Sequence, residues 1–113
     1  MENCLFCRII AGEIPSNKVY EDEMCYAFRD INPQAKVHIL IAPKEHMANI
    51  AECANRCDDL AGHLIKAAVK IAEAEGLENG YRLVTNLGAD GCQSVGHLHI
   101  HLLGGEKLSE KMS

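Results

Sequence analysis

Over the first dozen residues the apolar side chains Leu5, Phe6, Ile9 and Ile10 recur at the spacing of one helix face, with Asn3 placed to cap the segment. Gly12 and Pro15 close it. Val19 and Tyr20 then suggest a short strand, and Asp22-Glu23 a turn. Met24, Tyr26 and Phe28 alternate with Cys25 and Ala27, so the two sets point to opposite sides of a second strand. Asp30-Ile31-Asn32-Pro33 breaks it. Residues 37–42 form a β-branched, apolar run that predicts a central strand, stopped by Pro43. From about residue 51 to 75 the period becomes helical: Leu60, Leu64, Ala68 and Ile71 line one face, with Ala61, Ile65 and Ala72 beside them, and Gly76 suits the position past the helix end. Strands follow over residues 81–85 and 98–103, separated by a loop carrying Gly88, Gly91 and Gly96. Gly104-Gly105 ends the last strand, and residues 106–113 form a polar tail expected to be mobile. Helix, three strands, helix and two strands with short connections predict an α+β fold, a five-stranded antiparallel sheet with one short and one long helix.

Length and composition narrow the picture. At 113 residues there is room for one domain, residues 1–113 with a core over about 3–105. The chain is 48% hydrophobic and 24% charged, the balance of an ordinary globule. No apolar run approaches the ~20 residues of a membrane span, and Met1-Glu2-Asn3-Cys4 lacks a basic, apolar leader, so a cytoplasmic protein with no membrane partner is expected. Eleven Lys and Arg against 16 Asp and Glu give a net charge of −5, which repels nucleic acid. In that compartment the six cysteines are expected as thiols, not disulfides.

The chemistry concentrates in His97-Leu98-His99-Ile100-His101. On a strand these three imidazoles share one face, while Leu98, Ile100 and Leu102 turn to the other, toward the helix. Three alternating histidines suit a metal site or nucleophilic and acid–base catalysis, because imidazole titrates near neutrality and can attack phosphorus. The preceding Gly91-Cys92-Gln93-Ser94-Val95-Gly96 offers backbone N–H groups, a hydroxyl and flexible glycine, the groups that cradle phosphate oxygens in a turn, and so favours the second.

His97 to Leu103 matches the His-φ-His-φ-His-φ-φ signature, and the chain resembles the histidine triad superfamily. The segments FCRIIAGEIP (6–15), FRDINPQ (28–34), APKEH (42–46), GYRLVTN (80–86) and GCQSV (91–95) resemble its Hint branch, the histidine triad nucleotide-binding proteins, in the same order. The resemblance implies hydrolysis of purine nucleoside 5′-phosphoramidates to nucleoside monophosphate and amine, through a nucleotidyl-histidine intermediate. It makes His99 the nucleophile, His101 a donor to phosphate oxygens, and Ser94 a phosphate ligand that assists the leaving amine. It places Cys92, Gln93, Val95 and Asn86 around the ribose and phosphate, Asp30 on the ribose hydroxyls, and Phe6, Ile9, Phe28 and Ile31 around the base, accepting AMP- or GMP-like ligands. It also implies a homodimer whose two sheets form one of ten strands. The rivals are a dinucleoside polyphosphate hydrolase of the Fhit-like type and a nucleotide-binding scaffold with little turnover.

Cys4-x-x-Cys7 is half of a tetrahedral zinc site. Many bacterial Hint-like proteins bind zinc with two N-terminal Cys and two His, which implies structural Zn on Cys4, Cys7, His38 and His97. Cys53 and Cys57, four apart on the long helix, offer a second but incomplete pair. The chain departs from the family at Cys92, at Gly96, where a larger residue is usual, and in a C-terminus without aromatic residues. These departures bear on the leaving group.

Overall fold

The computed structural model describes residues 3–56 and 59–111. Its elements are α1 (Leu5–Ile10), β1 (Lys18–Glu21), β2 (Cys25–Arg29), β3 (Val37–Pro43), α2 (Ile50–Arg56), α3 (Leu60–Ala74), β4 (Tyr81–Val84) and β5 (Ile100–Gly104). The strands make one antiparallel sheet in the order β1-β2-β3-β5-β4. The α+β, five-stranded antiparallel architecture is therefore as expected.

Alternation sorts the side chains. Cys25, Ala27, Ile39, Ile41, Leu98, Ile100 and Leu102 lie on the face covered by α3, against Leu60, Leu64, Ala68 and Ile71. Fully burying a side chain such as Leu64 or Leu102 stabilises by about 1.5–3 kcal/mol, so this face carries most of the fold. Tyr26, Phe28, Leu40 and Ala42 lie on the opposite face under Phe6 and Ile9 of α1. The short helix covers only part of that face, and the histidines occupy the rest.

Three expectations change. Cys4, not Asn3, caps α1, its sulfur accepting the Cys7 N–H at 3.3 Å. The single long helix is two. Asn49 accepts the Glu52 N–H at 3.0 Å and starts α2; the helix-poor Asn55 and Asp59 fall about the junction, because their side chains compete for backbone groups. Residues 57–58, and with them Cys57, lie outside the described residues. The part of the tail within the described residues is held at two points: Glu106 accepts the Lys36 N–H at 2.7 Å, and Arg82 donates to the Ser109 carbonyl at 2.7 Å. No disulfide forms among the described residues.

Asp22 ties the β1–β2 turn to α3. Its Oδ1 accepts the N–H groups of Met24 and Cys25 at 2.8 and 2.9 Å, and its Oδ2 accepts from Tyr20 Oη at 2.9 Å and His63 Nε2 at 2.8 Å. Burial alone would push this carboxyl up, but the bonds from Met24, His63, Cys25 and Tyr20 hold it far below the usual range. A depressed folded pKa contributes stability above the unfolded value of about 3.9, lost as pH falls through the folded one. Asp22→Asn leaves an acceptor for the turn but sets an NH2 against the Tyr20, His63 and Cys25 Sγ donors, so urea titrations at pH 7 should show a loss of about 1–3 kcal/mol. The loss should shrink on acidification below about pH 4, as the wild type forfeits the same term. A pH-independent loss would contradict this role.

Candidate active site and metal centre

Sheet register sets the triad. Leu40 stands opposite His101 and His38 opposite Leu103, so His38 and His101 are diagonal neighbours on the α1 face. His97 and His99 precede the paired part of β5 yet keep the alternation; the two are 0% and 7% exposed. Buried imidazoles must be bonded, and the partners fix the tautomers.

A carbonyl only accepts. The Nδ1–H of His99 therefore donates to the His97 carbonyl at 2.8 Å, leaving Nε2 with the lone pair. That Nε2 has no hydrogen-bond partner among the described residues. The ring is braced edge-on by Phe6 and His101, each at 4.9 Å between centroids, and the Thr85 hydroxyl donates to the His99 carbonyl at 2.9 Å. A second chain of tautomers starts at the Gln34 N–H, which donates to His38 Nδ1 at 3.0 Å. His38 Nε2–H then donates to His101 Nδ1 at 2.9 Å, so the outer Nε2 of His101 carries a hydrogen. Burial, above all, lowers His38 and His99, and pushes His101 down to about 4, so all three are neutral at pH 7. The site thus holds a neutral imidazole with an unbonded lone pair beside a neutral N–H donor.

The loop before the triad is built around one amide. Gln93 Nε2 donates to the carbonyls of Ala48 at 2.6 Å and Val95 at 2.9 Å, and its Oε1 accepts the Gly88 N–H at 3.1 Å. Its side chain is committed to shaping the loop, whereas Ser94 is exposed. Gly91 is required, because a Cβ there would lie 2.5 Å from the Leu87 oxygen. Cys92 adopts φ 58°, left-handed backbone that costs a non-glycine residue about 1 kcal/mol. Asn86 lines a small cavity with Gln34, His38, Val84, His101 and Leu103.

The expected set of metal-ligating residues needs one correction. His46, not His38, joins Cys4, Cys7 and His97, with all four ligand atoms within 4.8 Å of one another. His38 faces Leu103 across the sheet, six residues and roughly 20 Å along the strand from His97. The chain turns after Pro43 and brings His46 back over the start of the triad. His97 Nε2–H donates to the Pro43 carbonyl at 2.9 Å, which turns its Nδ1 lone pair toward Cys4 Sγ at 3.2 Å and Cys7 Sγ at 3.5 Å. His46 Nδ1 lies 3.3 Å from Cys7 Sγ. A tetrahedral ion with bonds of about 2.3 Å to sulfur and 2.05 Å to nitrogen sets S and N about 3.6 Å apart, so the cluster fits one with small shifts. Burial and the neighbouring Cys4 push Cys7 up to about 11, which a bound cation would reverse. His38 sits instead with His101 and Asp30, whose Oδ2 is 3.5 Å from His38 Nε2.

Asp30 also accepts the Asn32 N–H at 2.8 Å, shaping its own turn. Of the residues expected around the base, Phe6, Ile9 and Phe28 gather into one cluster with Val95 against it, while Ile31 stands apart at 92% exposed. His46 is the member of this cluster that sequence reasoning missed; its signal was the Pro43 strand end three residues before it.

Residues 11–108 match the HIT domain family. A 14 kDa zinc-binding protein of Zea mays is 51% identical over 107 residues, 93% of this chain and 84% of that protein. A HIT family hydrolase from Clostridium thermocellum superposes with a TM-score of 0.94 at 50% identity, covering 100% of this chain and 99% of the other. A histidine triad nucleotide-binding protein from Candida albicans gives 0.82 at 33% identity, over 98% of this chain and 87% of that one.

Proposed function

The chain belongs to the HIT domain family, and on that footing we propose that it hydrolyses purine nucleoside 5′-phosphoramidates. The carrying observation is His99, neutral and with its Nδ1–H bound to the His97 carbonyl, so that Nε2 is the available lone pair. Nε2 attacks the α-phosphorus, the P–N bond to the leaving group breaks, and the amine departs with a proton. Water then attacks the nucleotidyl-imidazole; its P–N bond breaks and returns the pair to Nε2, releasing nucleoside monophosphate. His101, held by the His38 chain with Nε2–H outward, donates to a phosphate oxygen as charge grows there. Ser94 and the Val95 N–H complete the cradle, Asn86 borders the ribose-phosphate, and Cys92 and Gln93 shape the loop. Asp30 receives the ribose hydroxyls, with Phe6, Ile9, Phe28 and Ile31 on the base side. The name of the Candida albicans neighbour supports a nucleotide ligand.

Zinc is the proposed ion of Cys4, Cys7, His46 and His97, supported by the donor set and by the name of the Zea mays relative. Four protein ligands leave no open position, so the ion would supply rigidity, tying α1 to the start of the triad. We also infer a twofold dimer, because β4 is an edge strand carrying the exposed Tyr81, and Ile65 and Val69 of α3 are exposed apolar residues as well. A light-scattering mass of about 12 kDa, that of one chain, would refute the dimer.

The test of the activity sets adenosine 5′-phosphoramidate beside diadenosine tetraphosphate. Amine release at least about 100-fold faster than polyphosphate cleavage is expected. The reverse preference supports the Fhit-like reading, and turnover of neither, with AMP still bound, supports the scaffold.

A further inference from the structure

Cys4 and Cys7 are placed to react with each other as well as to hold an ion. Cys4 Sγ accepts the Cys7 N–H at 3.3 Å at the start of α1. Both sulfurs face a single nitrogen, His97 Nδ1, at 3.2 and 3.5 Å, and they lie within 4.8 Å of each other. Both residues are partly exposed, whereas Cys25 and Cys53 are 0% exposed and closed to a solute. Cys92 is exposed too, but it is no part of this cluster.

A thiolate held by a cation stays deprotonated at neutral pH, and the thiolate is the form that a peroxide oxidises. Residues three apart on a helix carry Cβ atoms about 5–6 Å apart, and a disulfide needs about 4 Å. A bond between Cys4 and Cys7 therefore takes a small tightening of one turn. The product keeps no thiolate charge, and an ion left with His46 and His97 alone would lose half of its ligands.

The same turn supports His99. The His97 ring faces the two sulfurs, and the His97 carbonyl accepts the His99 Nδ1–H at 2.8 Å. Phe6 lies between the two cysteines in the chain, and its ring is 4.9 Å from that of His99 and 5.9 Å from that of His97. Tightening the turn and losing the ion disturb both braces of the His99 ring at once.

We propose that a peroxide converts Cys4 and Cys7 to a reversible disulfide, expelling the ion and lowering turnover at His99. The step rests on the zinc reading, and its effect on turnover rests on the phosphoramidase reading. One thiolate attacks a peroxide oxygen, the O–O bond breaks, and a sulfenic acid and hydroxide form. The other thiolate attacks that sulfur, the S–O bond breaks as the S–S bond forms, and a second hydroxide leaves. Two thiolates are oxidised, one peroxide is reduced, and the two hydroxides balance the charge of the departing divalent ion.

The experiment treats zinc-loaded protein with hydrogen peroxide beside a chromogenic zinc chelator, with samples denatured for intact mass and peptide mapping. About one equivalent of zinc should appear in step with the loss of two hydrogens in mass, mapped to a Cys4–Cys7 bridge, and none should appear without peroxide. Turnover of adenosine 5′-phosphoramidate should fall by about tenfold and return with dithiothreitol and added zinc. Cys7→Ser should hold no zinc, form no such bridge, and show a lower turnover that peroxide reduces no further. A further fall in that variant would place the sensitive group elsewhere and overturn the proposal. Zinc retained after peroxide, or released with either cysteine carried on to sulfinic acid in place of a bridge, overturns it as well; these readouts on the wild type decide if Cys7→Ser does not fold. A bridge and released zinc with unchanged turnover overturn the link to His99. Protein that carries no zinc as purified overturns the metal reading and this inference with it, and leaves the phosphoramidase reading to its own assay. Zinc-bearing protein that cleaves no phosphoramidate before peroxide overturns that reading, while the bridge and the released zinc still decide the redox step.

Discussion

His99→Ala should lower phosphoramidate turnover by a factor on the order of 10⁴ or more, since no other imidazole nitrogen is placed to replace it. His97 Nε2 donates to Pro43 and its Nδ1 faces the thiols; His101 Nδ1 is filled by His38 and its Nε2 carries a hydrogen. The variant should still bind AMP, because the loop built on Gln93 and the Phe6–Phe28 cluster do not depend on the His99 ring nitrogen. Isothermal titration and stopped amine-release assays read both quantities. Turnover within about tenfold of the wild type would show that water attacks directly and that the covalent route is wrong.

Removing the metal should be the largest perturbation of stability. Protein purified without added metal should carry about one equivalent of zinc per chain, as a closed four-ligand site implies. Cys4→Ala should abolish it, and His46→Ala likewise, whereas His38→Ala should retain it. A structural zinc contributes on the order of 10 kcal/mol to small finger domains. Here the α3 face of the sheet has its own core, so a few kcal/mol and a fall in Tm of about 10 °C or more are expected. Activity should fall with it, because His97 links the two sites: its ring faces the thiols and its carbonyl orients His99. Zinc below about a tenth of an equivalent, or full retention in Cys4→Ala, would remove the metal from the account.

Alternation carried most of the fold in the sequence. The alternation of Tyr26 and Phe28 with Cys25 and Ala27, and the split of Leu98, Ile100 and Leu102 from the histidines, assign sides of the sheet correctly because period-two burial is local information. The break between α2 and α3 was hidden because Leu60, Leu64 and Ile71 continue the helical stripe, while the helix-poor Asn55 and Asp59 fall at the break without changing that period. His38 was assigned to the wrong partner for a non-local reason. Which histidine reaches His97 depends on the β3–β5 register and on the turn after Pro43, and neither is written in the spacing of the residues themselves. Gln93 reads from sequence as one more phosphate ligand; only the loop geometry shows both its amide hydrogens and its oxygen engaged with backbone.

The central claim is that His99 Nε2 becomes covalently bound to phosphorus. Wild-type protein mixed with excess adenosine phosphoramidate, quenched within a turnover and measured by intact mass, should gain one adenylyl group, and peptide mapping should place it on His99. An unmodified mass at every time during active turnover, or an adduct on His101, Ser94 or Cys92, would contradict the account.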